Sequence, residues 1–284
     1  MKIARKCVCC DGGDLARNPA VLAPFVANRV FGWEPAEVTS AWGLRDIGEG
    51  RAYSVCNSLV CGDCGLIFLD MRFDDEEMSA LYTRYRGADY CATRERFEPG
   101  YAARNALLQQ GAPYIPVIEE FLTPHLTTQP RILDWGGDTG VNTPLRGRAA
   151  AHHVYDISDQ PTVTGALRVE REEVLRENYD LIVLSQVLEH VPDPRAILAE
   201  LVAAMRPQTR LYVEVPHEDF VRLRGAGPAA LKRHWHEHVN FFTQEALDRL
   251  HAGLGLEIVA QASHEVVAGG RGAYVFSILS QLKP

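Results

Sequence analysis

Arg131-Ile-Leu-Asp-Trp-Gly-Gly-Asp-Thr-Gly140 is an apolar run of strand length that breaks into glycines. Such a run reads as a buried strand, a tight turn and a helix start, the arrangement that holds nucleotide-type ligands. Downstream, strand-like and helix-like pieces alternate: Ile132 to Trp135, a helix after Gly140, Val154 to Ile157, Leu181 to Ser185, a helix from Asp193 to Met205, and Leu211 to Val215. That alternation makes a parallel α/β sheet with helices on both faces. The end of the chain departs from it. Leu256 to Ala262 and Ala273 to Leu279 are separated by Gly269-Gly-Arg-Gly272, with no crossover helix long enough to keep both strands parallel.

The totals set the outer limits. With 284 residues, 46% of them hydrophobic, the chain can bury a core for one large domain and a small one. Its 29 basic and 37 acidic residues leave a formal charge of -8 with no Lys/Arg block, so no nucleic-acid partner is expected. No apolar run reaches the roughly 18 to 20 residues of a membrane span, and Met1-Lys-Ile-Ala-Arg-Lys6 is not followed by an apolar signal core. A cytoplasmic location is the resulting expectation.

Seven cysteines, four of them in two CxxC turns, suit a metal site in a reducing compartment. Cys7-Val-Cys-Cys10 and Cys61-Gly-Asp-Cys64 are glycine-flanked knuckles, and four thiolates from two such turns make a closed, structural zinc site. Cys9 competes with Cys7 and Cys10 as a ligand, and Cys56 lies close enough to complicate the assignment. Residues 1–75 therefore read as a zinc-ribbon-like module, with Leu66 to Leu69 as a strand, 76–128 as a helical connector, and 129–284 as the ligand-binding domain. In the connector, helices are expected from Asp74 to Tyr82, from Tyr101 to Gln110, and from Tyr114 to Leu122. Tyr82, Tyr85 and Tyr90 are packing residues or the cover of a ligand.

Asp134-Trp-Gly-Gly-Asp-Thr-Gly140 resembles the acidic-x-Gly-x-Gly-x-Gly loop of class I S-adenosylmethionine-dependent methyltransferases, with Asp138 in place of the middle glycine. The resemblance continues through Val154-Tyr-Asp156, Tyr179 to Pro192, and Trp235-His-Glu-His-Val-Asn-Phe-Phe-Thr243, and so covers roughly residues 115 to 284. With the cysteine module in front, the chain is similar to nucleotide-sugar C-methyltransferases, without the large C-terminal domain that those enzymes carry. The resemblance implies a Rossmann-like seven-stranded sheet with one antiparallel strand. It also implies S-adenosylmethionine held by Asp134, Gly136, Gly137, Gly140, Asp156, Ser185 and Gln186, with Glu170 or Val169 bordering adenine. Asp138 would repel the cofactor's carboxylate unless it turns toward the ammonium or solvent.

The histidine segment Pro216-His217 through His234-Trp-His-Glu-His238 has three readings. HExxH would need histidine at Asn240, so a zinc-protease site is excluded. Alternation puts His234, His236 and His238 on one side of an extended segment, as a metal site or as a polar loop. The catalytic reading makes His238 a general base beside Glu237. The resemblance implies the same, since a Tyr-x-Glu-His group and a histidine after the fourth strand match Glu237, His238 and His190. Trp235 stands where that group has tyrosine, which favours methylation of a hydroxyl over that of a keto-sugar carbon. The stretch Asp219 to Arg233, with Arg222, Arg224, Lys232 and Arg233, is expected to be a solvated loop or a cover holding an anionic group such as a nucleotide diphosphate. The expected acceptor is a small molecule, a sugar or nucleotide sugar. RNA, or cofactor binding without turnover, are the competing readings.

Overall fold

Two sheets carry the fold of the residues that the structure, a computed structural model, describes: 1–42, 50–158, 160–222, 232–268 and 270–284. The N-terminal stretch forms β1 (Lys2–Ile3), β2 (Leu15–Leu22), α1 (Pro24–Phe31), β3 (Ala36–Val38), β4 (Gly50–Ala52), β5 (Val55–Cys61), β6 (Ile67–Leu69) and β7 (Met71–Arg72). Four helices follow, α2 (Asp75–Tyr82), α3 (Ala88–Phe97), α4 (Tyr101–Leu108) and α5 (Ile115–Leu122). Then come β8 (Arg131–Trp135), β9 (Ala151–Tyr155), β10 (Leu167–Arg168), α6 (Arg171–Val174), β11 (Leu181–Ser185), α7 (Pro194–Ala204), β12 (Arg210–Pro216) and α8 (Asp219–Arg222). The last described elements are β13 (His234–Trp235), β14 (Asn240–Phe241), α9 (Gln244–Ala252), β15 (Leu256–Ala268) and β16 (Arg271–Leu282).

The large sheet has the order β10-β9-β8-β11-β12-β16-β15. Strands β8 to β12 run parallel, and β16 lies antiparallel to both neighbours. This is the expected seven-stranded sheet with one reversed strand. Its strands alternate between two cores. Leu133, Ile182, Leu184, Val213 and Val215 face one side, while Ile132, Leu181, Val183 and Tyr212 face α5 on the other. Ile118 and Leu122 form the buried stripe of α5. Caps fix the helix starts: Asp74 and Glu77 form a capping box on α2, and the Asp193 and Thr243 side chains accept from the backbones of α7 and α9.

One expected helix does not form. After Gly140 the chain makes turns, and a single 3-10 turn at Arg146–Arg148, before entering β9. Thr143 precedes Pro144 and is steered away from helical dihedrals, while Pro144 has no N–H to give. Leu145 then takes a left-handed φ of 63°, its N–H donates to Glu119 of α5 at 2.7 Å, and its side chain joins the core under that helix. Strand β9 also begins earlier than its apolar residues suggest, taking in His152 and His153.

The smaller sheet has the order β13-β2-β5-β6-β14. Its outer strands come from residues 234–241, with β13 parallel to β2 and β14 antiparallel to β6. The unit expected at 1–75 therefore does not close on its own residues. Its core is continuous with that of the large sheet, running from Cys7, Cys61 and Phe68 into Ile182, Leu198 and Leu250.

Candidate active site

The glycine turn at the end of β8 is built by contacts that no side chain would permit. Gly136 and Gly140 both have φ of 77°. A Cβ at Gly136 would lie 2.5 Å from a Val187 methyl, and one at Gly137 would lie 2.5 Å from the Asp134 carboxylate. Asp134 is sealed beneath the turn at 4% exposure, accepting from the Thr143 hydroxyl, to which His152 Nε2 is bonded at 2.8 Å. Burial pushes Asp134 up to about 7, opposed by the Thr143 bond and reinforced by the charges of Asp156 and Glu214. Asp156, at the tip of β9, accepts the Asp138 N–H at 2.8 Å and the Ser158 N–H at 2.7 Å, one on each carboxylate oxygen. It ties the loops after β8 and β9 together.

Ser185 and Gln186, at the tip of β11, both turn to Glu214 on the neighbouring strand. Ser185 Oγ donates at 2.8 Å and Gln186 Nε2 at 3.0 Å, and the hydroxyls of Tyr114 and Tyr212 donate to the same carboxylate. Their side-chain donors thus brace the floor of the site. Val169 is buried, and Glu170 caps α6.

Beyond Gln186 the chain brings His190 to His238. Their ring centroids are 4.6 Å apart with planes at 85°. His190 Nδ1 lies 2.9 Å from the Tyr82 hydroxyl and 3.2 Å from the Glu237 carbonyl oxygen, which fixes the ring. Burial, then the neighbouring His190, pushes His238 well below the ordinary imidazole value, and burial lowers His190 as well, so both stay neutral at neutral pH. Glu189 is 1% exposed, neither carboxylate oxygen has a hydrogen-bond partner among the described residues, Oε1 lies 3.8 Å from His190 Nε2, and burial pushes the carboxyl up to about 8.

Glu237 has a different station from the one the sequence suggested. Its carboxylate receives both Arg94 amino groups, at 2.9 and 3.0 Å. Burial works against its ionised form, yet His236 and Arg94 hold it down to about 2. It is a buried anchor for β13 and the following turn. His236 bonds to Glu98 and stacks on Phe25, and His234 is exposed, so the three alternating histidines do not converge. Trp235 is fully buried, donating to Ser58 Oγ at 2.7 Å. In the basic stretch, Arg222 pairs with Asp219 and Lys232 lies 4.4 Å from the Phe241 ring centroid, while Arg224 and the rest of 223–231 lie outside the described residues, as does Gly269 of the terminal turn.

Among the described residues, two groups of side chains could hold a metal. Cys7, Cys10, Cys61 and Cys64 bring their sulfurs within 4.8 Å of one another, with Cys7 to Cys64 and Cys10 to Cys61 each at 3.6 Å. A tetrahedral zinc at about 2.3 Å from each sulfur needs edges of about 3.8 Å, so the set fits. Cys9 and Cys56 stand outside it. Glu189, His190 and His238 form the second group, also within 4.8 Å.

Glu214, Arg86 and Arg94 were missed as site residues, while Tyr82, read as packing or as the cover of a ligand, reaches His190. For Arg86 a signal existed in the acid at position 138, which needs a cation near it.

Residues 82–261 match a family model described as a methyltransferase domain. The ubiquinone biosynthesis O-methyltransferase of Aeromonas salmonicida is 25% identical over 148 residues, 44% of this chain and 62% of that protein. The chain thus spans about three-fifths of the length of that relative. Among solved structures, the 1,6-didemethyltoxoflavin-N1-methyltransferase of Burkholderia thailandensis, crystallised with S-adenosylhomocysteine, superposes with a TM-score of 0.50 at 17% identity, covering 80% of this chain and 96% of that one.

Proposed function

The chain belongs to the methyltransferase-domain family, and on that premise we propose that it moves the methyl group of S-adenosylmethionine to a hydroxyl of a small molecule, a sugar or nucleotide sugar. The observation that carries this reading is the facing pair His190 and His238, with His190 three residues past the Val187 that lies against Gly136 of the glycine turn and the Tyr82 hydroxyl fixed on His190. The similarity to an O-methyltransferase and the resemblance of the His190 and Glu237-His238 segments to sugar-modifying enzymes support it. When bound, the sulfonium supplies an already electrophilic methyl carbon. The protein must then align the acceptor, exclude water and remove one proton. His238, neutral and half-buried, accepts the proton of the acceptor hydroxyl. Arg94 and Glu237 hold the segment that carries it, and the four-cysteine zinc site would have a structural role.

A second reading, methylation of a sugar carbon, is favoured by Tyr82: its hydroxyl offers at His190 the phenol that Trp235 lacks. The free cysteines suit a reducing, cytoplasmic setting. Among the described residues no helix is long and apolar enough to cross a membrane.

Incubating the protein with methyl-labelled S-adenosylmethionine and a panel of nucleotide sugars, phenols and RNA tests the acceptor class. His238→Ala is expected to keep S-adenosylhomocysteine binding and to lose roughly 100-fold or more in transfer, the scale of general-base catalysis. Unchanged turnover would remove His238 from the mechanism, and label on RNA alone would overturn the small-molecule acceptor.

A further inference from the structure

The turn after β8 has lost the device that usually greets an anion at such a place. With no helix following Gly140, there is no helix N-terminus whose free amides and dipole would hold a carboxylate. Asp138 adds a negative charge to the same turn, at a left-handed φ of 54°.

Arg86, from the turn between α2 and α3, answers both. It is itself in a left-handed conformation, φ 58°, and its Nη1 donates to Asp138 Oδ2 at 3.1 Å. The two side chains are 17% and 21% exposed, and Arg86 Nε is buried with no partner among the described residues. Ser158 Oγ donates to the other Asp138 oxygen at 3.2 Å, which fixes the carboxylate, and Arg86 stacks on Tyr85 with its guanidinium carbon 5.0 Å from the ring centroid. Both charges line a cavity of about 260 Å³ whose other walls include Gln109, Thr139 and Gln160. A cavity with one fixed cation and one fixed anion, side by side, complements a zwitterion. The planar guanidinium suits a carboxylate, and the Asp138 carboxylate suits an ammonium.

We propose that Arg86 and Asp138 together hold the amino-acid end of S-adenosylmethionine, Arg86 taking its carboxylate in place of the absent helix terminus and Asp138 its ammonium. The inference rests on the cofactor reading above and deepens it. It makes Asp138 a binding group where a missing glycine suggests a defect. It also makes cofactor binding depend on the connector, since Arg86 is only four residues from Tyr82.

The test compares two ligands by titration calorimetry. S-adenosylhomocysteine carries the amino-acid end, and 5′-methylthioadenosine shares the adenosine and thioether without it. Arg86→Gln is expected to weaken S-adenosylhomocysteine by about 10- to 100-fold, the worth of one or two charge-assisted hydrogen bonds, and to leave methylthioadenosine within about threefold. Arg86→Lys should recover part of the loss. Asp138→Gly should also weaken S-adenosylhomocysteine selectively. The proposal is overturned if Arg86→Gln leaves S-adenosylhomocysteine unchanged, if it weakens both ligands equally, or if Asp138→Gly tightens binding. A wild-type protein that binds neither ligand would instead remove the cofactor reading on which the proposal stands.

Discussion

Asp134 shows how one residue can serve a site at a cost to stability. Its carboxyl lies under Gly137 with Thr143 its one donor among the described residues, and burial raises it from the ordinary value to about 7. An acid whose folded value is raised favours folding fully below its unfolded value and loses that contribution as pH climbs through the folded one. The protein should therefore lose about 2 to 4 kcal/mol from Asp134 between pH 4 and pH 7, as the unfolded carboxyl ionises and the buried one does not. Asp134→Asn keeps an acceptor for Thr143 and removes the charge. Urea unfolding from pH 4 to 8 should show the variant gaining on the wild type as pH rises, and parallel stabilities throughout would contradict the assignment. The sequence made Asp134 and the glycines legible because a turn of that kind admits few residue types. It did not show that Ser185 and Gln186 spend their donors on Glu214, nor that Glu237 belongs to Arg94, because those pairings join residues far apart in sequence.

At the level of elements, the apolar periodicity of β8, β11, β12, β15 and β16 was enough to give the sheet and its reversed strand. The helix after Gly140 was expected from the pattern of the turn, and Pro144 with Leu145 overrode it. Strands of two residues such as β10, β13 and β14 carry no periodicity to read, and β13 and β14 are where the histidine segment joins the smaller sheet. One buried guanidinium secures that joint. Arg72, 7% exposed on β7, donates to the carbonyls of Leu69, Val191, Pro192 and Val239 and to Asn240 Oδ1. It ties the loop carrying His190 to the strand that follows His238. Arg72→Ala would leave several buried acceptors unpaired, and a loss of about 3 kcal/mol or more is expected from the urea midpoint. A loss under about 1 kcal/mol would mean that the joint is held elsewhere.

At the scale of the described molecule, the cysteine knuckles and the histidine segment form one packed body. Thr243, three residues before the buried Ala246 of α9, donates to the Cys64 carbonyl at 2.7 Å, Arg195 of α7 donates to the Cys9 carbonyl, and the core runs through both sheets. A metal at the four cysteines should thus support the position of His238 as well as the module itself. Elemental analysis is expected to find about one zinc per chain, and its removal by a strong chelator to lower the unfolding temperature and abolish methyl transfer together. A metal-free protein of unchanged stability would refute the zinc site.

If the glycine turn after β8 holds S-adenosylmethionine, titration calorimetry with S-adenosylhomocysteine will detect it. One ligand per chain is expected for the wild type, and none for Gly136→Val, whose new side chain would have to occupy the space of Val187 at a φ of 77°. No binding by the wild type, or equal binding by the variant, would contradict it.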